Sequence, residues 1–249
     1  MNLVGRAGVE PTTNGLKEVS RLKNLYKSTL FFRCAAKCVA NLAPYPLGAL
    51  ALPQALEGLS YGVRYQPVFL GGLLKAKQQL GPAEIPMKRE WVYRQSQWLA
   101  QAQGVRLDLP AAHPFNPLGL LRLAVASDPQ GNPNRYVCEI LFRHVWEGGL
   151  DAADVQRLQA LTTELAPARD PNSDEVRDQL KAHTNDAIAR GVFGVPSYAV
   201  DHKVFWGLDA LPMLRDYLLG SPWFAGADWD AAAKVPVGMA RPAAGPRSA

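Results

Sequence analysis

The 249-residue sequence predicts an α/β fold in which a small sheet is interrupted by a large helical block. Three observations predict it. β-rich runs occur on both sides of the chain's middle, at 63–69 and again at 197–206, each beside a short helical stretch. Roughly a hundred residues between them carry helical periodicity. The resulting order is (β)–α–β, helices, then β–β–α, a thioredoxin-like arrangement with a helical insertion.

The elements follow in order. Tyr26–Cys34 is the strand-like stretch of the first 42 residues. Ala51–Leu59 reads as a short helix ending at Gly58 or Ser60. Val63–Phe69 alternates and is β-branched and aromatic, so it reads as a strand closed by Gly71 and Gly72. Met87, Trp91, Arg94, Trp98, Leu99 and Ala102 follow a 3.6-residue period that Gly104 stops, and Trp91, Trp98 and Trp146 are expected in the core. Asn116 is a good N-cap, with Pro117 at the first position of a helix through Ala126. Further helices are expected over Asn134–Glu147 and from an Asp151 cap to Leu161. Another starts at an Asn172–Glu175 capping box and runs up to Gly191. Ser197–Val200 and Val204–Trp206 read as a hairpin around Asp201-His202. Leu211, Leu214, Tyr217 and Leu218 mark a terminal helix ending at Gly220. Beyond Ala225 the Ala/Pro/Gly-rich chain is expected to be disordered. The expected organisation is therefore a head (1–42), a domain split between 43–75 and 191–224, a helical insertion (76–190) and a tail (225–249).

Charge and cysteine usage narrow the function. The net charge is +5 and the pI near 9.2, which invites a nucleic-acid reading. The excess is confined to the head, where seven Lys/Arg face two Glu; the remainder is neutral. No nucleic-acid partner is therefore expected. No apolar run long enough for a transmembrane helix is present, and no membrane partner is expected. The head lacks a secretory h-region. Its run Gly5–Lys17 resembles the antisense translation of a lysine tRNA gene, so a misplaced start or a frame disturbance before Pro44 is one expectation. Cys34, Cys38 and Cys138 cannot all pair, which fits a reducing, cytoplasmic setting. The four His are scattered, with no HExxH or CxxC, so no metal site is expected.

Three segments carry more than pattern: Tyr65–Lys75 (YQPVFLGGLLK), Ile85–Trp91 (IPMKREW), and Gly191–Tyr198 (GVFGVPSY) followed by Val204–Asp209 (VFWGLD). From about Pro53 to Trp223 the chain resembles the 2-hydroxychromene-2-carboxylate isomerases. These are relatives of kappa-class glutathione transferases in the DsbA-like thioredoxin group. The resemblance implies glutathione as cofactor, a small aromatic carboxylate as substrate and a homodimer. It implies a cis peptide before Pro196, leaving the Val195 N–H and C=O to pair strand-like with the cysteinyl unit of glutathione. Leu208 and Asp209 would meet the γ-glutamyl end, and Lys88 the glycyl carboxylate. Gln79 stands where relatives often carry Asn. Other readings stay open at the same residues: a trans Pro196, Asp209 as a helix cap, and Lys88 as a solvated helix charge.

One family feature is missing. The first strand of the resembling proteins ends on a serine that hydrogen-bonds the glutathione sulfur and favours the thiolate. The matching position is Ala43, which has no hydroxyl, and Pro46 and Gly48 are expected to disrupt the helix that follows. The expected activity is glutathione-dependent isomerisation, impaired by this loss. Two alternatives are an inactive or binding-only glutathione protein, and a dithiol oxidoreductase using Cys34 and Cys38.

Overall fold

The computed structural model describes residues 31–35 and 45–239. A four-stranded sheet in the order β2-β1-β3-β4 carries the fold. Strand β1 (Phe31–Ala35) is central, parallel to β2 (Gly62–Tyr65) and antiparallel to β3 (Ser197–Val200); β3 pairs antiparallel with β4 (Lys203–Trp206). The expected boundary at residue 42 therefore does not hold for 31–35, which supply the middle of the sheet. Strand β2 is shorter than the run Val63–Phe69, because Pro67 has no N–H to continue a ladder.

Helix α1 (Tyr45–Ala55) links β1 to β2. Pro46 lies in its first turn, where a missing N–H costs nothing, so it does not disrupt the helix as expected. Gly71 and Gly72 do not close a strand; they lie inside α2 (Leu70–Ala76). The omitted Cβ of Gly72 lets Thr184 approach: a Cβ there would sit 3.1 Å from Thr184 Cγ2. The Phe69 N–H donates to Thr184 Oγ1 at 3.0 Å, tying the β2–α2 connection to the insertion.

The insertion comprises α3 (Pro86–Ala102), α4 (Leu118–Ala126), α5 (Arg135–Trp146), α6 (Val155–Leu165) and α7 (Asp174–Ala189). Helix α4 starts one residue later than expected, with Pro117 at its N-cap and Asn116 accepting from Leu118 N–H, while Asn134 caps α5 by accepting from Val137 N–H. Two caps fall elsewhere. Asp154, not Asp151, starts α6, and Ser173, not Asn172, starts α7. The core is continuous from the sheet into α4 and α5, with Leu121, Leu141, Val145 and Trp146 buried.

Helix α3 reverses the expectation. Met87, Trp91 and Trp98 are 78%, 62% and 65% exposed, whereas the buried positions are Ser96 and Ala100. Of the three tryptophans expected in the core, only Trp146 is there.

Helix α8 (Leu211–Leu218) closes the domain, and Tyr217 Oη donates to Asp201 Oδ2 at the hairpin turn. Helix α9 (Ala227–Ala232) places Trp229 against Phe205, Trp223 and Phe224, and the buried Lys203 lies with Nζ 4.4 Å from the Trp229 ring centroid. The part of the expected disordered tail over 227–232 is thus a helix anchored by an aromatic cluster and a cation–π contact.

Leu141→Ala is expected to lower stability by about 2–5 kcal/mol, whereas Trp98→Ala should change it by no more than about 0.5 kcal/mol. Urea unfolding of both variants checks the reversed face of α3; a large loss at Trp98 would contradict it.

Candidate functional site

One edge of the sheet gathers the site. The antiparallel β1–β3 pairing puts the C-terminal end of β1 (Ala35) opposite Ser197, the first residue of β3. The C-terminal end of β4 (Trp206) lies opposite the same Ser197. Helix α1 brings its first turns to this edge. A Cβ at Gly48 would stand 2.8 Å from Tyr198 Oη and 2.9 Å from Pro196 Cγ, so the helix comes closer than any side chain permits.

The Val195–Pro196 peptide is cis. Pro196 C=O accepts from Gly207 N–H at 3.0 Å, and Ser197 Oγ donates to Gly194 C=O at 2.8 Å. These two bonds hold the loop on both sides of Val195. The N–H and C=O of Val195 itself have no hydrogen-bond partner among the described residues. They form a short backbone edge with one donor and one acceptor to offer.

The 3₁₀ turn Leu208–Ala210 leads into α8 beside this edge. Gly207 has φ +97°, and a Cβ there would be 2.3 Å from Asp209 Oδ1, so glycine is needed for both backbone and space. Asp209 is exposed and makes no cap hydrogen bond and no ion pair among the described residues. Its carboxylate is available to a cation. No acidic residue lies in the first turn of α1 or of α8, although Asp209 immediately precedes the N-cap of α8.

The expected residues divide accordingly. Val195, Pro196, Leu208 and Asp209 come together at this edge. Gln79 and Lys88 are exposed, after α2 and in the first turn of α3, and no hydrogen bond or ion pair ties either to the cis-Pro loop. Ala43 and Cys38 lie outside the described residues. Cys34 is the penultimate residue of β1, eleven residues before the start of α1 in the chain. Among the described residues no group of His, Cys, Asp and Glu could hold a metal, and no helix is long and apolar enough to cross a membrane. Sequence reasoning missed Phe193 and Trp206, which flank Val195 and Leu208 with exposed rings; their place in the segments quoted above was the available signal.

The model of the DSBA-like thioredoxin domain matches residues 47–219. The chain belongs to this DSBA-like family. Within it, the chain is similar to proteins named 2-hydroxychromene-2-carboxylate isomerase. One, from Sphingobium xenophagum, is 25% identical over 182 residues, covering 70% of this chain and 91% of the relative. Another, from Pseudomonas putida, is 28% identical over 183 residues, covering 70% and 88%. A solved 2-hydroxychromene-2-carboxylate isomerase shares the fold with a TM-score of 0.62 at 21% identity, over 80% of this chain and 98% of that one.

Away from the DSBA-like edge lies a second titratable pair. Tyr93 Oη meets His113 Nδ1 at 2.5 Å, and the His113 ring packs between Tyr93, Phe115 and Trp146. Burial, and secondarily the Arg89 charge, push the His113 pKa down to about 4. Burial also lowers that of His144. Such groups hold fewer protons folded than unfolded. The contribution of His113 to stability is present above about pH 6.5 and is lost as pH falls toward 4.

Two predictions follow from these geometries. Gly→Ala inside a helix ordinarily stabilises by roughly 0.8–1.0 kcal/mol, but Gly48→Ala should destabilise by about 1–3 kcal/mol because its Cβ collides with Pro196 and Tyr198; denaturant unfolding reads the sign directly. Between pH 7 and pH 4 the unfolding midpoint should fall, and His113→Asn should flatten that fall; an unchanged slope in the variant would show that His113 does not titrate as described.

Proposed function

We propose that this protein is a glutathione-dependent isomerase acting on 2-hydroxychromene-2-carboxylate or a close aromatic relative. The observation that carries this reading is the unpartnered backbone of Val195 before cis-Pro196, with the bare Asp209 carboxylate beside it. An extended thiol peptide fits such an edge: one N–H and one C=O for strand-like pairing, and a carboxylate for its ammonium group. The names of the curated relatives supply the reaction and its substrate.

Glutathione, when bound, would supply a thiol nucleophile that is regenerated at the end of the isomerisation. The chain's own residues have three tasks. Val195 fixes the register of the peptide through its N–H and C=O. Asp209 accepts from the γ-glutamyl ammonium, and the backbone N–H groups at Leu208–Ala210 favour the adjacent carboxylate. The N-terminus of α1 is the candidate positive dipole end for the sulfur, since Ala43, the residue matching the family's serine in sequence, has no hydroxyl to donate. Lys88, in the first turn of α3, is the candidate for the glycyl carboxylate.

The test is turnover of 2-hydroxychromene-2-carboxylate with and without glutathione. Turnover should require glutathione, and Ala43→Ser should raise kcat by about 10²–10³-fold, the size of one sulfur- or oxyanion-stabilising donor. Asp209→Asn should raise the KM for glutathione by about tenfold or more, the loss of one charge-assisted contact, with little change in kcat. Glutathione binding without turnover in both the wild type and Ala43→Ser would identify a binding-only protein. Cys34-dependent disulfide formation would instead identify a dithiol oxidase.

A further inference from the structure

We propose that Phe193 and Trp206 form the aromatic wall on which a planar aromatic carboxylate rests at the cis-Pro edge, and that this pair selects the substrate. The inference builds on the isomerase reading and goes beyond it by assigning the residues that contact the aromatic ring.

The placement is set by the two segments that make the edge. Phe193 stands two residues before Val195, and Trp206 two residues before Leu208. The Ser197–Trp206 register and the Gly207 N–H to Pro196 C=O bond hold the two segments together. The rings meet at a centroid separation of 5.0 Å, tilted by 54°. The indole lies directly on the Gly194 backbone: a Cβ at 194 would be 2.5 Å from Trp206 Nε1. Gly194 thereby fixes Trp206 beside the open backbone of Val195.

The pair is nevertheless poorly covered. Phe193 is 39% and Trp206 50% exposed. Two large aromatics left partly in water at one point, next to unpartnered backbone, form a surface that a flat apolar ligand would cover favourably. Among the described residues the other exposed aromatics lie elsewhere: Trp91 and Trp98 on α3, Tyr136 in the first turn of α5, and Trp223 edge-on against Phe224 and Trp229 in the C-terminal cluster. An aromatic substrate lying on Phe193 and Trp206 would be adjacent to the peptide paired with Val195, which is where an attacking sulfur must find it.

The experiment measures binding of trans-o-hydroxycinnamate, a stable planar aromatic acid, by calorimetry without glutathione. Glutathione affinity and steady-state constants are measured on the same proteins. Trp206→Leu and Phe193→Leu should each weaken cinnamate binding about fivefold to tenfold, the scale of one aromatic contact, and raise the KM of the aromatic substrate. Their glutathione affinity should stay within twofold of wild type. Trp206→Phe should retain cinnamate binding within about threefold, which separates loss of the wall from loss of the fold. Cinnamate binding that is absent in the wild type, or unchanged in both leucine variants, overturns the wall. Equal loss of glutathione and cinnamate binding in the leucine variants also overturns it, since the pair would then only support the loop. Wild type that binds cinnamate through Trp206 but neither binds nor uses glutathione would sink the isomerase reading and leave the wall standing.

Discussion

The contact between Gly48 of α1 and the Pro196–Tyr198 segment fixes the geometry of everything around it. With no Cβ at 48, the helix lies against the proline ring and the Tyr198 hydroxyl at distances a larger residue would forbid. Tyr198 is buried to 1% exposure in β3, so the contact is part of the core and not a surface touch. From it follow the position of the α1 N-terminus at the sheet edge and the packing of α1 against the Leu208–Ala210 turn and α8. The same glycine that weakens the helix intrinsically is what allows the helix to sit where it does. Local propensity and tertiary demand disagree here, and packing decides.

Helix α3 shows a different conflict. Its apolar residues follow a clean helical period, and the period is correct: one helix runs from Pro86 to Ala102. What periodicity cannot state is which face turns inward. The face that packs is lined by Ser96 and Ala100, small residues that let the helix approach its neighbours, with Tyr93 half-buried beside them. Ser96 satisfies its hydroxyl internally, donating to Val92 C=O at 2.6 Å, so its burial leaves no orphan donor. Large residues then fall on the outer face. The rule that tryptophan seeks the core is statistical, and here a close approach of small residues outweighs it.

Much of the fold was legible because its signals are local. The stops at Gly104, Gly191 and Gly220 and the hairpin around Asp201 lie where their chemistry puts them. Asp154 and Ser173 were misread because several Asx and Ser residues compete within a few positions, and only the geometry of the helix start chooses among them. Strand β1 falls within the strand-like stretch read at Tyr26–Cys34, but the anomalous charge balance of that segment hid its place at the centre of the sheet. Helix α9 was obscured by its alanine-rich composition, although Trp229 carries enough apolar area to dock it against Phe205 and Phe224. In the site, the cis-Pro loop and Asp209 were visible as motifs. The exposed Phe193–Trp206 pair was not, because exposure is a property of the assembled edge.

The same edge shows how binding and chemistry separate in this chain. The groups that would hold a thiol peptide are backbone atoms and one carboxylate, all fixed by the Pro196–Gly207 and Ser197–Gly194 bonds, and none depends on residue 43. On the proposed reading, the direct hydrogen bond to the thiolate falls to the position of Ala43, which carries no hydroxyl. The α1 dipole remains, and a helix terminus contributes roughly 0.3–1 kcal/mol, up to ~2 in partly buried settings. A lost oxyanion-type donor removes about 2.7–4 kcal/mol. The dipole therefore offsets part of the deficit and not the whole. On the proposed reading, affinity for glutathione survives nearly intact while the rate falls, because the binding contacts and the thiolate contact sit on different residues.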